Sequence, residues 1–279
     1  SAEKDERIIA ITAAMASGTG LKLFAERFPE RFFDVGIAEG HALTFAAGLA
    51  TQGLRPVAAI YSTFLQRAYD QILHDICLQN LPVLIAIDRA GLVGEDGPTH
   101  HGVFDISFLR NIPGLTIMQP KDGRDLPSFL AAALQHDGPV ALRYPRGKTE
   151  LKELPLQSTK IPFGRADVVC SGKDGMIWAA GEMVETCSRA AKLLSKRGPD
   201  FGVVDTRFIK PLDAALLEEQ AGEGKTIITV EEHVLAGGLG SAVWESLEEQ
   251  GLGTTSFLRI GIPDTFIPHG SIEKLRREC

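Results

Sequence analysis

The sequence predicts an α/β protein of two doubly wound parallel-sheet domains, the second smaller than the first. Short apolar runs alternate with helical patterns along nearly the whole chain, the order expected of strands joined by crossover helices. The runs are apolar throughout, as strands covered on both faces must be. The alternation pauses once, in a polar stretch holding Pro155 and Pro162, which places the domains at residues 1–150 and 165–279 with a linker at 151–164.

Taken in order, Ile8 to Ile11 is the first strand, and Gly18-Thr19-Gly20 opens a helix from Leu21 to Arg27. A glycine-rich turn before a helix can hold a phosphate, but this one lacks a following Lys and a downstream acidic partner, and it reads as a structural turn. Pro29 breaks the helix ahead of a buried strand from Phe32 to Ile37. The pattern turns helical at about Ala38, with small residues on one face, and continues to about Gln52. Strands over Pro56 to Ile60, Leu81 to Asp88, Leu115 to Gln119 and Val140 to Tyr144 then alternate with helices over Phe64 to Gln79, Asp105 to Arg110 and Gly123 to His136. In the second domain, strands are expected over Ala166 to Cys170, Gly175 to Ala180, Phe201 to Asp205, Thr226 to Val230 and Phe257 to Ile260. Helices are expected over Met183 to Arg197, Leu212 to Ala221, Gly240 to Gln250 and Ser271 to Arg277.

With 279 residues, 44% of them hydrophobic and 23% charged, the chain can bury two ordinary cores. Its net charge of -7 argues against nucleic acid or an anionic membrane as the main partner, so an anionic substrate needs a local basic pocket. No apolar run approaches the roughly 20 residues that span a bilayer, and the polar start Ser1-Ala2-Glu3-Lys4-Asp5 does not resemble a signal peptide, which makes the cytoplasm the expected location. The missing initiator Met points to an excised or processed piece. Cys77, Cys170, Cys187 and Cys279 lack metal-ligand spacing and are expected to be reduced thiols, three of them core fillers.

The chemistry gathers where strands end, the edge at which open α/β sheets bind ligands. Glu39 stands at the strand-to-helix change in Asp34-Val35-Gly36-Ile37-Ala38-Glu39-Gly40-His41, where a carboxylate can also serve simply as a helix-start group facing the dipole. Tyr61, Phe64 and Arg67 follow the next strand, and Asp88-Arg89 the one after. The loop from Arg89 to Val103, with Asp96, His100 and His101, is too long for an idle connection in a compact domain. His41 is open to a helix-packing role, and His101 to a structural one. Glu231-Glu232-His233 with Gly237-Gly238-Leu239-Gly240 forms a strand-turn-helix that could hold an anion at the helix start.

The segments FDVGIAEGHALTFAAGLA, AIYSTFLQRAYDQ, IDRAGLVGEDGPTHHG, LRYPRG, VVDTRFIKPLD, VEEHVLAGGLGS and IGIPDTFIPHGS resemble the 1-deoxy-D-xylulose-5-phosphate synthase family of the transketolase superfamily. The resemblance covers nearly the whole chain and corresponds to the family's pyrimidine-binding and C-terminal domains. It implies a transferase that uses thiamine diphosphate to condense pyruvate with glyceraldehyde 3-phosphate, with loss of CO2, feeding isoprenoid, thiamine and pyridoxal biosynthesis. The family's diphosphate-binding domain, which grips the cofactor diphosphate and Mg²⁺ through a GDG motif, has no counterpart here, and no acidic cluster suggests a metal site. The chain is therefore expected to supply half a cofactor site, to be inactive alone, to need a diphosphate-binding domain or subunit, and to form a homodimer.

By the same resemblance Glu39 hydrogen-bonds the aminopyrimidine, a task suited to a carboxyl kept from water, where burial favours the protonated form. Phe64 stacks on that ring and Arg67 belongs to the cofactor set. Arg89 and Arg146 bind the acceptor phosphate with Tyr61 nearby, while Asp96 and His100 address substrate hydroxyl and carboxylate groups, His100 being able to shuttle a proton. Gly40 departs from the family pattern, which has Gln at this place, so local packing there is expected to differ. The β subunit of a 2-oxo-acid dehydrogenase, a split transketolase, and a non-catalytic fragment or regulatory half are the competing readings.

Overall fold

The computed structural model describes residues 1–147 and 160–279; the expected domain end at 150 and the linker as far as 159 lie outside the described residues. The first sheet is built on β1 (Ile8–Thr12), β2 (Phe32–Asp34), β3 (Arg55–Tyr61), β4 (Leu84–Asp88), β5 (Thr116–Met118) and β6 (Val140–Arg143). These run parallel in the order β5-β6-β4-β3-β1-β2. The second sheet holds β7 (Asp167–Cys170), β8 (Gly175–Ala179), β9 (Phe201–Asp205), β11 (Thr226–Val234) and β12 (Phe257–Ile262), in the order β12-β11-β8-β9-β7.

Helices α1 (Lys22–Arg27), α2 (Glu39–Thr51), α3 (Ser62–Leu65), α4 (Tyr69–Gln71), α5 (Asp105–Leu109) and α6 (Leu126–Gln135) belong to the first domain. The second contains α7 (Met183–Ser195), α8 (Ala214–Gly222), α9 (Leu239–Glu249) and α10 (Ile272–Glu278). The small-residue face expected of α2 is the face it buries: Ala42, Leu43, Ala46, Ala47 and Ala50 pack into the core beside Ile11, Ala58 and Ile76.

Four expectations need correction. The strand expected to reach Ile37 is only β2, and it is a partly exposed edge strand; Gly36, at φ +72°, turns the chain away after it. The single helix expected from Phe64 to Gln79 is broken into α3, a 3₁₀ turn at 66–68, α4 and a π-helical segment from Ile72 to Cys77, a form that often marks functional regions. Neither sheet is purely parallel, because each carries one antiparallel edge strand. Only Cys77 and Cys187 are buried, whereas Cys170 and Cys279 are exposed.

The unexpected edge strand joins the two halves. β10 (Phe208–Lys210) comes from the second domain yet pairs with β5 of the first sheet. Phe208 is fully buried among Leu84, Met118, Phe129 and Leu142 of the first domain, an apolar burial worth about 2 kcal/mol. Lys210 Nζ donates to the Arg110 carbonyl at the same seam. Three residues are too few to show a period in sequence, so this strand is a product of tertiary pairing.

Candidate functional site

Strand order decides which side chains meet. β3, β4 and β6 are neighbours, so the residues following them, Tyr61 to Arg67, Arg89 and Arg146, emerge side by side on one edge. Tyr61 is registered opposite Asp88, the residue before Arg89. Glu39 is the first residue of α2, a position where a carboxylate is favoured by the helix dipole.

From Glu39 to Arg89 the contacts are continuous. Arg67 Nη1 donates to Glu39 Oε1 at 2.9 Å, and the same guanidinium lies 4.9 Å from the centre of the Phe64 ring. Phe64 stacks with Tyr61 at 5.8 Å and meets the edge of the His100 ring at 5.5 Å. The Arg89 guanidinium sits 3.8 Å from the centre of Tyr61, donates to the Gly18 carbonyl at 2.8 Å and pairs with Asp88 at 3.0 Å. Arg146 pairs with Asp96. Burial raises the pKa of Asp88 and of Tyr61 above their ordinary values, Arg89 opposing the shift in both.

The structure thus brings every expected site residue to one edge. It places Arg67 against both Glu39 and Phe64, and it seats Asp96 on Arg146. The Gly18-Thr19-Gly20 turn forms part of the wall: a Cβ at Gly18 would collide with the Tyr61 hydroxyl. Asp88, which holds Arg89, was given no role of its own in the sequence; its place one residue before that arginine was the available signal.

The long loop is a closed one. Gly91 N donates to the Gly102 carbonyl at 2.7 Å and Gly102 N returns to the Gly91 carbonyl at 2.8 Å, pinching the neck of the loop. A side chain at Gly102 would strike the Arg89 carbonyl and Ser62, so glycine is required by close approach. Arg89 itself holds φ at +60°, a strained value for a non-glycine residue. Beside it opens a cleft of about 900 Å³ between the domains, lined by Arg89 and Arg146 together with Gly18, Lys121, Arg124 and Arg189.

Gly40 is covered by Gln71. A Cβ at position 40 would lie 3.2 Å from Gln71 Oε1, an oxygen that is buried without a hydrogen-bond partner. His41 is exposed and stacks on Phe45 one turn along α2.

The second-domain motif does not offer an anion site. Glu231, 3% exposed, accepts from Leu239 N at 2.7 Å and Gly240 N at 2.8 Å, so the start of α9 is filled by the chain's own carboxylate. Burial pushes the Glu231 pKa up to about 7. His233, fully buried, accepts from Ile106 N at 3.1 Å at the start of α5, while its Nδ1 donates to the Val234 carbonyl at 2.8 Å; burial holds its pKa down to about 4. Beside it Arg143 grips Asp105 through two hydrogen bonds of 3.1 and 3.0 Å, both side chains almost wholly buried.

The residues fit an aminopyrimidine. One guanidinium meets both the buried carboxyl and the aromatic ring, the hydrogen-bonding group and ring face such a heterocycle would use, and Arg67 engages only Oε1 of the carboxylate. Among the described residues no group of three or more His, Cys, Asp or Glu side chains is placed to hold a metal ion.

Residues 1–152 match the family model described as the transketolase pyrimidine-binding domain, and residues 164–279 match that of the transketolase C-terminal domain. The chain is 54% identical over 99% of its length to a 1-deoxy-D-xylulose-5-phosphate synthase of Heliobacterium modesticaldum, covering 43% of that protein. It is 55% identical over its full length to the corresponding synthase of Thermomicrobium roseum, covering 44%. The chain therefore spans less than half the length of these curated relatives. Among solved structures, a split-gene transketolase described as an inactive β4 tetramer superposes with a TM-score of 0.84 at 34% identity, covering 95% of this chain and 85% of that one. A transketolase of Campylobacter jejuni shares the fold, with a TM-score of 0.78 at 21% identity over 99% of this chain and 42% of that one.

Proposed function

The chain belongs to the transketolase family, and from that premise we propose that it supplies the pyrimidine side of the active site in a 1-deoxy-D-xylulose-5-phosphate synthase. The proposed reaction condenses pyruvate with glyceraldehyde 3-phosphate, with loss of CO2, to a precursor of isoprenoids, thiamine and pyridoxal. The observation that carries this reading is the run of contacts from Glu39 through Arg67, Phe64 and Tyr61 to Arg89. It sets a shielded carboxyl, with Arg67 and an aromatic ring, at one end and the Arg89 guanidinium at the other.

Thiamine diphosphate, when bound, supplies the carbon nucleophile. Glu39, 3% exposed at the first position of α2, would hold a ring nitrogen of the heterocycle through the carboxyl oxygen that Arg67 does not engage. Phe64 supports the ring face, and Arg67 holds the Glu39 carboxyl in place from the solvent side. Arg89 and Arg146 line one cleft and together offer the forked donors that a phosphate requires, in a protein whose overall charge is negative. Asp96 orients Arg146, and His100, against Phe64, is assigned proton transfer to or from substrate oxygen.

Mg²⁺ and the cofactor diphosphate are assigned to a diphosphate-binding domain or subunit outside residues 1–279. The assembly is proposed to be a homodimer in the cytoplasm; no helix among the described residues is long and apolar enough to cross a membrane. A divided enzyme is the second reading, favoured by the 85% coverage of the split-gene transketolase chain. Adding the diphosphate-binding domain to this chain tests the proposal. Turnover of pyruvate and glyceraldehyde 3-phosphate is expected only with both parts present, and tight binding of thiamine diphosphate with Mg²⁺ by this chain alone would contradict the divided site.

A further inference from the structure

His100 and His101 are neighbours that face opposite ways. Both backbone N–H groups converge on the Gly97 carbonyl, at 3.0 and 3.2 Å, in one tight turn. His100 then meets the Phe64 ring in the site, whereas His101, 2% exposed, turns toward the second domain. Its Nδ1 accepts from Val93 N at 3.1 Å, and its Nε2 lies 3.1 Å from the Pro268 carbonyl. A backbone N–H can only donate and a carbonyl can only accept, so the ring is neutral with its proton on Nε2. One imidazole therefore closes the loop on itself and ties it to the other domain.

The rest of the loop's inner side is seated on the same surface. Leu92 and Val103 form an apolar cluster with Val234, Ile262, Ile267 and Leu275, Gly270 N donates to the Gly94 carbonyl at 3.3 Å, and Gly97 is packed against His269. The outer side carries Asp96 on Arg146 and His100 on Phe64. A displacement of the inner side is thus transmitted to the residues assigned to the acceptor.

We propose that His101 is a positioning residue for the acceptor phosphate: by bonding Val93 and Pro268 together it sets where Asp96, and through it the Arg146 guanidinium, stands. The proposal rests on the synthase reading above. It gives the second domain a part in substrate selection, through the segment around Pro268.

Two variants of the full-length enzyme separate the two bonds. His101→Asn keeps an acceptor near the Nδ1 position for Val93 N but loses the donor to Pro268; His101→Gln keeps a donor that reaches Pro268 but loses the acceptor. Steady-state kinetics with glyceraldehyde 3-phosphate and with unphosphorylated glyceraldehyde give the readout, alongside thermal unfolding to establish that each variant is folded. Each variant breaks one of the two bonds, so His101→Asn and His101→Gln are both expected to raise KM for the phosphorylated acceptor about tenfold while leaving the unphosphorylated one within about twofold. Nitrogen chemical shifts of the wild-type ring should show Nδ1 unprotonated and Nε2 protonated. Equal losses with both acceptors, unchanged KM in folded His101→Asn, or a proton on Nδ1 would overturn the proposal. A failed synthase reading shows instead as a wild-type enzyme that turns over neither acceptor with pyruvate.

Discussion

Arg67 donates to Glu39 at 2.9 Å across the start of α2, joining a carboxylate side chain that is 4% exposed to a guanidinium side chain that is 54% exposed. The asymmetry fits a carboxyl sheltered by the fold and a cation that holds it from the solvent side, with the same guanidinium lying against the ring on which the heterocycle is proposed to stack. Since half of Arg67 faces water, the pair is expected to add little stability. Arg67→Met should cost about 1 kcal/mol in urea unfolding, and a loss of several kcal/mol would mean that the pair is a structural one.

The Asp105–Arg143 pair presents the opposite case. Both side chains are buried, and Arg143 also donates to Gln119 Oε1. Removing one partner strands a charge in the core, so Asp105→Asn or Arg143→Met is expected to lower stability by about 3 to 5 kcal/mol. Replacing both with apolar residues should recover much of that loss in the same unfolding assay.

His233 gives a signed pH prediction. Its pKa, held at about 4 against the ordinary 6.5, lies below that of the unfolded chain, so the unfolded chain takes up a proton that the folded one refuses. Its contribution is full above pH 6.5 and is lost as pH falls toward 4, a difference of about 3 kcal/mol. Glu231, pushed up to about 7, works in the opposite sense, its contribution being full below its ordinary 4.5 and lost as pH rises through about 7. The His233 effect is therefore read as the wild-type stability minus that of His233→Asn at each pH. That difference should shrink between pH 6.5 and 4, and parallel curves would contradict the assignment.

Gly102 fixes the neck of the long loop. A methyl group there would lie 2.1 Å from the Arg89 carbonyl and 2.6 Å from the Ser62 Cβ, both on packed elements. Gly102→Ala is expected to destabilise the chain by about 1 to 3 kcal/mol and to increase proteolysis between residues 90 and 102. A variant as stable and as resistant as wild type would show that the neck yields freely.

Much of this was legible in the residues, and the reason is periodicity. The strand ends after Tyr61, Asp88 and Arg143 could be found because continuous apolar runs stop there, and adjacency of β3, β4 and β6 then brings Phe64, Arg89 and Arg146 together. The kinks in the stretch from Ser62 to Cys77 were not legible, since its apolar pattern serves 3₁₀, α and π turns alike. Nor was β10, whose pairing partner lies some 90 residues earlier in the chain at β5. The role of His101 was hidden for a related reason: its two hydrogen bonds depend on where Val93 and Pro268 meet, which no local spacing encodes.

The central claim is that Glu39 works on the heterocycle. Formation of 1-deoxy-D-xylulose 5-phosphate from pyruvate and glyceraldehyde 3-phosphate, measured for full-length wild type and Glu39→Gln at saturating thiamine diphosphate and Mg²⁺, tests it most directly. A fall of about a hundredfold or more in kcat in a folded, cofactor-binding variant is the predicted result; turnover within about twofold of wild type would contradict it.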